Sequence, residues 1–424
     1  MDGIIDAHYF VLPSQSNIYS LARLTSVSGL ERLLVTSLKK KVFCFEYSVD
    51  KDDALLPVIK EISFTYIPSG AEIISIDAVN KSKDHDDFVV GITIIKTGNN
   101  DMESEKYLNI YSEPEPDENN EFNIDNLANN CLMIELDFVP YFLYHTFLLS
   151  QNQVVWFLSG SDSKIHAYTE DVSTHTYHET DIAEHFPELV SPSSIVLWID
   201  IWHIHQNTRR LSVIGCEDWS VKISLVEIES NALLSVWNYD CDGPISRVQL
   251  FYLSNYFPPD AEESSKNCET EDEGEKKSKE EGEENINLLV TSTINQSIVF
   301  MNVTTSGTSE RHFLPYKDSY DAVLSSVCAD IDLDGEQEII LGAYSQELIA
   351  YKYINSRWEL IGTRGVSSSV LCMAHLDLSQ DGVRELVVVT MRGIHIFQHD
   401  PNIVLEKLKA SIDFSKIFSA ETLM

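Results

Sequence analysis

Short apolar runs, rather than helical stripes, dominate the hydrophobic pattern of this chain. Runs rich in Val, Ile, Leu, Phe and Tyr recur along its whole length, and Gly, Asn, Asp, Ser and Pro separate them. This pattern favours strands joined by turns, because β-branched and aromatic residues suit a pleated sheet and small polar residues suit tight turns. Apolar positions at helical spacing are scarce. The pattern therefore predicts an all-β protein.

The last third of the chain contains a repeat that joins an acidic loop to two strands. The first copy reads Asp330-Ile-Asp332-Leu-Asp334-Gly-Glu-Gln-Glu338 and is followed by IILGAY and LIAYKY. The second copy starts 47 residues later with DLSQDGVRE, at residues 377–385, and is followed by LVVVT and IHIFQ. Self-similarity at this period is typical of β-propellers, in which each repeat forms one blade.

Five further pairs of apolar runs lie upstream and lack the complete acidic loop. They occupy residues 33–47, 88–96, 154–168, 211–226 and 288–301. A third run precedes several pairs, at residues 72–79, 195–202, 245–252 and 323–330. Seven pairs predict a single seven-bladed β-propeller over residues 1–400 with a tail at 401–424, although six or eight blades stay open.

Two segments interrupt the repeat. Residues 260–284 contain 12 acidic and 4 basic residues and no aliphatic residue beyond Ala261. Such a segment buries too little apolar surface to offset the entropy of ordering it, so we expect a disordered acidic insertion in the fifth blade that folding does not require. Residues 98–125 are a milder insertion leaving the second blade. A docking or phosphorylation role is the alternative for both.

The charge of the chain excludes several partners. The formal net charge is −37, from 30 basic and 67 acidic residues. A nucleic acid backbone or an anionic membrane surface would repel such a chain. The longest apolar stretch, residues 132–149, is broken by charged residues and a proline, so we expect no transmembrane segment.

The cysteines and the first residues indicate an intracellular protein. Seven cysteines lie far apart with no Cys-x-x-Cys pair, which is typical of reduced thiols in the cytosol. The opening MDGIIDAHYF lacks a basic flank before an apolar segment, so we expect no secretory signal.

The first acidic loop is the candidate metal site. Asp330, Asp332, Asp334 and Glu338 occupy positions one, three, five and nine of a loop with glycine at six, which suits calcium. The alternative is structural, because the same carboxylates can accept hydrogen bonds from the backbone of the turn. Ser379 replaces the second carboxylate in the other loop and weakens it as a calcium site. Beyond calcium, no cofactor is expected.

Catalytic motifs are missing, and the histidine pairs are weak candidates. The sequence contains no nucleophile elbow, phosphate-binding loop or zinc-protease motif. His203 and His205 should point to one side of a strand, yet no third ligand has a recognisable spacing, and His175 and His178 are no better. Four tryptophans within strand patterns are expected to pack between blades: Trp156, Trp198, Trp219 and Trp237. A non-enzymatic scaffold is the preferred interpretation, with an enzyme that uses the central channel as the alternative.

Two family resemblances carry more specific expectations. The paired acidic loops with their strands resemble the FG-GAP repeats of integrin-alpha propellers. Longer strings resemble the kaptin family over residues 14–399; they lie at residues 14–17, 64–82, 108–116, 186–189, 196–200, 209–212, 242–248 and 345–353. The acidic insertion and the short tail depart from the vertebrate pattern of that family.

The kaptin resemblance implies a non-catalytic subunit of the KICSTOR complex. Such a subunit would lie on the cytoplasmic surface of lysosomes, help recruit GATOR, and restrain TOR kinase signalling when amino acids or glucose are scarce. The family is also described as associating with actin filaments in lamellipodia and stereocilia, which is the alternative function. It offers no catalytic residues to carry over to this chain.

Overall fold

A ring of seven sheets forms the body of the protein. The computed structural model describes residues 1, 3–49, 55–98, 104–113, 124–253, 285–315 and 321–410. Over these residues, 28 strands form seven antiparallel sheets of four strands each. The first strands of consecutive sheets contact one another around a central channel. The structure confirms the predicted all-β, seven-bladed propeller.

The strands follow the chain in order around the ring, beginning with β1 (Ile4–Val11). Blade 1 contains β2 (Leu21–Thr25), β3 (Glu31–Ser37), β4 (Lys41–Val49) and β5 (Leu55–Ile62). Blade 2 contains β6 (Ala71–Asn80), β7 (Phe88–Thr97), β8 (Ser104–Ser112) and β9 (Cys131–Glu135). Blade 3 contains β10 (Pro140–Leu148), β11 (Gln153–Gly160), β12 (Ile165–Asp171) and β13 (Thr176–Thr180). Blade 4 contains β14 (Val196–Ile204), β15 (Arg209–Cys216), β16 (Ser220–Glu227) and β17 (Ala232–Asp240).

The remaining blades complete the ring. Blade 5 contains β18 (Ile245–Tyr252), β19 (Ile286–Ser292), β20 (Ile298–Phe300) and β21 (Arg311–Phe313). Blade 6 contains β22 (Val323–Ala329), β23 (Glu338–Ala343), β24 (Glu347–Ile354) and β25 (Arg357–Gly365). Blade 7 contains β26 (Val370–Leu376), β27 (Glu385–Thr390) and β28 (Gly393–His399), and β1 supplies its outermost strand. Short helices interrupt the connections: α1 (Ile124–Asn129), α2 (Ile182–His185), the 3-10 turn Pro187–Leu189 and α3 (Val303–Ser306). A further helix, α4 (401–410), follows the last strand.

The ring closes through the pairing of β1 with β28. The two strands run antiparallel, with Ile4 opposite His399 and Val11 opposite Gly393. A backbone hydrogen bond of 3.0 Å from Leu12 to the carbonyl of Arg392 extends this ladder. Both ends of the propeller sequence therefore build one blade, which fastens the ring without any covalent link.

Burial explains why the second strand of most blades is so apolar. Every residue of β19, β23 and β27 is buried, because these strands have a neighbouring blade on each face. The outermost strands lie at the rim and alternate between exposed and covered positions, as β17 does in its second half. The continuous apolar runs in the sequence therefore mark the middle of each blade.

The innermost strands share an irregularity that the sequence pattern does not show. In six blades the pairing register shifts near the start of the first strand, in β6, β10, β14, β18, β22 and β26. Bulges of this kind bend a strand and redirect the side chain that follows. In blades 4 and 5 the shift directly precedes Trp198 and Arg247.

Two strand predictions in blade 2 are wrong. Residues 88–96 form the single strand β7 rather than a strand pair. Its partner β8 lies inside residues 98–125, which the sequence indicated as an insertion. The second strand was not recognised because the sequence after Thr97 is polar and β8 itself opens with three charged or polar residues.

The acidic insertion at 260–284 lies outside the described residues. The chain leaves blade 5 after β18 and returns at β19, so the insertion falls within the fifth blade, as the sequence predicted. The boundary between propeller and tail at residue 400 stays a prediction; α4 begins directly after it.

Candidate functional site

The acidic loop of blade 6 connects β22 to β23 and satisfies much of its own backbone. Asp330 accepts hydrogen bonds from the backbone N–H of Asp334 at 3.2 Å and of Gly335 at 2.9 Å. Asp334 accepts another from Glu336 at 3.0 Å. Gly335 has a φ of +92°, which only glycine adopts readily, so the tight turn depends on it.

A lysine ammonium occupies the centre of the carboxylate cluster. Nζ of Lys352, on β24, lies 2.6 Å from Asp332 Oδ2, 2.7 Å from Asp334 Oδ2 and 2.6 Å from Glu338 Oε1. The other oxygen of Glu338 accepts the backbone N–H of Ile331 at 2.8 Å. Oxygens of Asp330, Asp332 and Glu338 lie within 4.8 Å of one another, a spacing that could hold a metal ion. Asp334 does not belong to that metal-sized group of three.

The ionisation of the cluster reflects burial and this lysine. Burial raises the pKa of Glu338 to about 7, even though Lys352 opposes the shift. Burial alone would lower the pKa of Lys352, but the hydrogen bonds to Asp332, Asp334 and Glu338 raise it instead. Burial likewise acts to raise the pKa of Asp334, while the bond from Lys352 brings it below its usual value. The ammonium therefore stays charged at every physiological pH.

The acidic loop of blade 7 has similar hydrogen bonds to its backbone but one carboxylate fewer at the candidate metal positions. Asp377 accepts the N–H of Gly382 at 3.0 Å, and Glu385 accepts that of Leu378 at 2.8 Å. Gln398 reaches the buried carboxyl of Glu385 at 3.2 Å, from the position that Lys352 holds in blade 6. An amide thus replaces the ammonium where the loop has lost a carboxylate.

We propose that Lys352 acts as the cation of the blade 6 loop, in the place where calcium would bind. Four carboxylates are the ligands that calcium prefers, so the residue types fit the ion. The Lys352 ammonium already contacts three of these carboxylates at hydrogen-bond distance, so calcium would have to displace it. The structural alternative for Asp330, Asp332, Asp334 and Glu338 is therefore favoured over a calcium site.

Replacing Lys352 with serine is expected to turn the loop into a calcium site. In K352S the carboxylates repel one another until an ion joins them, and calcium at about 100 times its Kd would stabilise the fold by about 2.7 kcal/mol. The melting temperature of K352S should therefore rise by roughly 3 °C or more on calcium addition. The wild-type protein should not respond, and K352S/D332N, which lacks one ligand, should respond less. A wild-type response equal to that of K352S would contradict the proposed role of Lys352.

Charged side chains of the central channel are held by backbone groups. Asp200 on β14 accepts the N–H of Leu250 at 2.6 Å, and Arg247 on β18 donates to the carbonyl of Ser326 at 2.7 Å. Burial raises the pKa of Asp200 to about 6 and lowers that of Arg247. Each bond joins two neighbouring blades, so both side chains serve to fasten the ring.

The thiols of Cys328 and Cys372, buried in apolar clusters between blades, are poor nucleophiles. Burial raises the pKa of Cys372 to about 12, and it also raises the pKa of Cys328. A thiol reacts as its thiolate, which such values suppress. Neither thiol is therefore an activated nucleophile.

A serine, a histidine and an aspartate form a hydrogen-bonded chain at the ring closure. Ser367 Oγ lies 2.7 Å from Nε2 of the buried His395, and Nδ1 of His395 lies 2.8 Å from Asp6 Oδ2. The order matches that of a hydrolase triad. Its three members come from the connection between blades 6 and 7, from β28 and from β1. These hydrogen bonds therefore connect β1 to β28 and to the segment before β26, where the two ends of the propeller meet.

The histidine and tryptophan predictions are partly wrong. His203 lies on β14, but His205 follows the strand in a left-handed turn with a φ of +49°, so the two do not share a strand face. Trp156 is fully buried between blades, as expected. Trp219 instead lies in a turn and is 44% exposed.

The sequence interpretation missed a buried ion pair in blade 4. Arg210 donates to both oxygens of Glu188 at 2.7 and 3.1 Å, and Ser212 donates to the same carboxylate at 2.9 Å. The guanidinium also lies 4.2 Å from the ring centre of Phe186. The sequence offered one signal for this pair: in the stretch RRLSVIG, arginine begins an otherwise apolar strand. The pair fixes the connection between blades 3 and 4.

Comparisons with known proteins agree on one family. The family model for "KICSTOR complex protein kaptin" matches residues 4–409. The protein of that name from Mus musculus is 37% identical over 414 residues, which cover 95% of this chain and 90% of the mouse protein. Among solved structures, BBS1N from a crystal structure of its complex with ARL6DN has a TM-score of 0.55 at 8% identity, over 94% of this chain and 97% of that chain. The structural likeness shows the fold alone.

Proposed function

The chain belongs to the kaptin family, and from that premise we propose that it is a non-catalytic subunit of a KICSTOR complex. The observation that carries the proposal is the match of 37% identity over 95% of the chain to a protein named for that complex. We further propose that the assembly recruits GATOR to lysosomes and restrains TOR kinase signalling during amino-acid or glucose starvation.

The chemistry of the described residues supports a binding role. Lys352 pairs with three carboxylates of the acidic loop, backbone groups hold Asp200 and Arg247, and burial suppresses the thiolates of Cys328 and Cys372. These charged groups stabilise the ring. A rigid ring of seven blades offers partners two faces and a rim, which suits a scaffold.

We place the protein on the cytoplasmic surface of lysosomes through its partners rather than through lipid. No helix among the described residues is long and apolar enough to cross a membrane. A net charge of −37 disfavours binding of the chain to anionic lipid headgroups. In this proposal, other subunits of the complex supply the attachment.

Cells lacking the protein test the proposed regulation. On amino-acid withdrawal, phosphorylation of TOR substrates should persist in these cells and fall in cells re-expressing the wild-type chain. Re-expression of the Lys41→Gln variant, which breaks only an exposed ion pair with Glu61, serves as a matched control and should also restore the response. If substrate phosphorylation falls normally without the protein, the proposed regulation is wrong.

A further inference from the structure

The outer strand of blade 4, β17, has backbone N–H and C=O groups without a hydrogen-bond partner among the described residues. Cys241, directly after β17, donates its N–H to the carbonyl of Trp219 at 2.9 Å. Alternate residues of a strand bond to the same neighbour, so Tyr239 faces β16. Val236 and Asn238 therefore direct their N–H and C=O groups away from the sheet. No backbone bond from the described part of the chain reaches those groups.

This edge also lacks the residues that usually protect an outer strand. Natural proteins protect sheet edges with proline, charged side chains or very short strands. The outer strands of the other blades show such features: Pro57 on β5, Glu135 on β9, Glu179 on β13, only three residues in β21, Arg357 and Glu359 on β25, and Asp6 on β1. By contrast, β17 carries a charge only at its last residue, Asp240, and its run without charge or proline, residues 232–239, is longer than any such run on the other outer strands of the described chain. Leu233, Leu234 and Val236 on this strand are exposed.

Charge at the two ends of β17 restricts what could pair with it. The exposed carboxylate of Glu229 lies just before the strand. Asp240 is the last residue of the strand and Asp242 follows it, and both are exposed. A second copy of the chain would bring the same carboxylates, and a net charge of −37, against this edge. Like charges on both sides oppose pairing, whereas basic flanks on a partner favour it.

We propose that the free edge of β17 binds an extended segment of a partner subunit. The segment adds a fifth strand to blade 4, with apolar side chains at alternate positions next to Leu234 and Val236. Lys or Arg residues at its ends meet Glu229 and Asp240. Main-chain hydrogen bonds supply affinity in this mode of recognition, and the flanking charges set its register. The inference rests on the proposed function, since it assigns a binding surface for a partner in the complex.

A proline at position 238 tests the edge selectively. In Asn238→Pro the outward N–H is lost, while the ladder between β16 and β17 keeps its hydrogen bonds because residue 238 does not donate to β16. Asn238→Ala removes the side chain and keeps the N–H, so it is the matched control. Each variant is co-expressed with the other KICSTOR subunits and purified through a tag on this chain. The wild type and N238A should recover the subunits equally, and N238P should recover at least about tenfold less.

Hydrogen exchange keeps the test decisive if N238P folds poorly. In the wild-type complex, amides of residues 233–240 should exchange more slowly than in the isolated chain. Unchanged exchange in this segment would overturn the inference, as would full recovery of the subunits by a folded N238P.

A designed peptide separates failure of the edge from failure of the proposed function. The probe is Lys-Val-Thr-Val-Thr-Val-Lys, and its partner has glutamate at both ends. The lysine peptide should bind the wild type and N238A more tightly than it binds N238P. It should also bind the wild type more tightly than the glutamate peptide does. That result supports the edge even if no KICSTOR subunit is recovered, in which case the proposed function alone fails. Equal binding to N238P overturns the inference.

Discussion

A chain lacking residues 1–11 is expected to accumulate in the insoluble fraction. Without β1, blade 7 keeps three strands, and β28 exposes the whole edge that Ile4 to Val11 normally covers. The side chain of Ile4, buried against blade 6, is lost as well, together with the hydrogen bond from His395 to the carboxylate of Asp6. The combined loss should exceed about 5 kcal/mol, which is comparable to the whole stability of many domains. Sedimentation of the expressed protein measures the outcome.

Moving the same strand to the other end of the chain supplies the control. Ile4 lies opposite His399, so a short turn after residue 399 can lead directly into residues 4–11. A permuted chain that begins at residue 12 should form blade 7 as a continuous meander and stay soluble. A soluble truncated chain, or a permuted chain that is as insoluble as the truncated one, would contradict the role of β1 in closing the ring.

Replacing Arg210 with methionine is expected to have the second largest effect. The change leaves the carboxylate of Glu188 buried with only the Ser212 hydroxyl as a side-chain partner, and removal of one member of a buried pair costs about 3–5 kcal/mol. The melting temperature of R210M should fall by roughly 3–6 °C. Thermal unfolding followed by circular dichroism measures the shift.

Two further variants identify the cause of that loss. R210M/E188Q removes the unpaired charge and should regain at least half of the lost stability. Lys41→Gln breaks an exposed pair with Glu61, whose atoms lie 2.9 Å apart, and should change stability by less than about 1 kcal/mol. If the double variant is no more stable than R210M, packing of the arginine stem accounts for the effect instead of the buried charge.

The blade count was predictable because burial on both faces leaves a clear trace in the sequence. Strands such as β19 and β27 have a blade on each side, so their apolar runs are continuous and easy to count. The pairing of β1 with β28 could not be predicted in this way, since alternation along one strand says nothing about a partner nearly 400 residues away. The error over β8 arose because its first residues lie exposed at the rim and resemble a loop.

The calcium site stays a prediction, and the position of Lys352 could not be anticipated from the sequence for a similar reason. The acidic loop alone shows the residues of a calcium site, and the sequence stretch LIAYKY gives no sign that its lysine points into that loop. The pairing of β23 with β24 sets Lys352 beside Glu338, and that pairing is a property of the folded blade. The turn bonds of Asp330 and Asp334, by contrast, follow from the local sequence and were anticipated as the alternative.

Native mass spectrometry of the tagged protein, purified from its own cells, tests membership of the complex most directly. The proposal predicts that the chain, of 48.1 kDa, is released in one assembly with the other KICSTOR subunits at a fixed ratio. The assembly should be present in both fed and starved cells, because membership rests on the propeller rather than on nutrient state. Recovery of the chain as a free monomer under both conditions, with no other KICSTOR subunit attached, would contradict it.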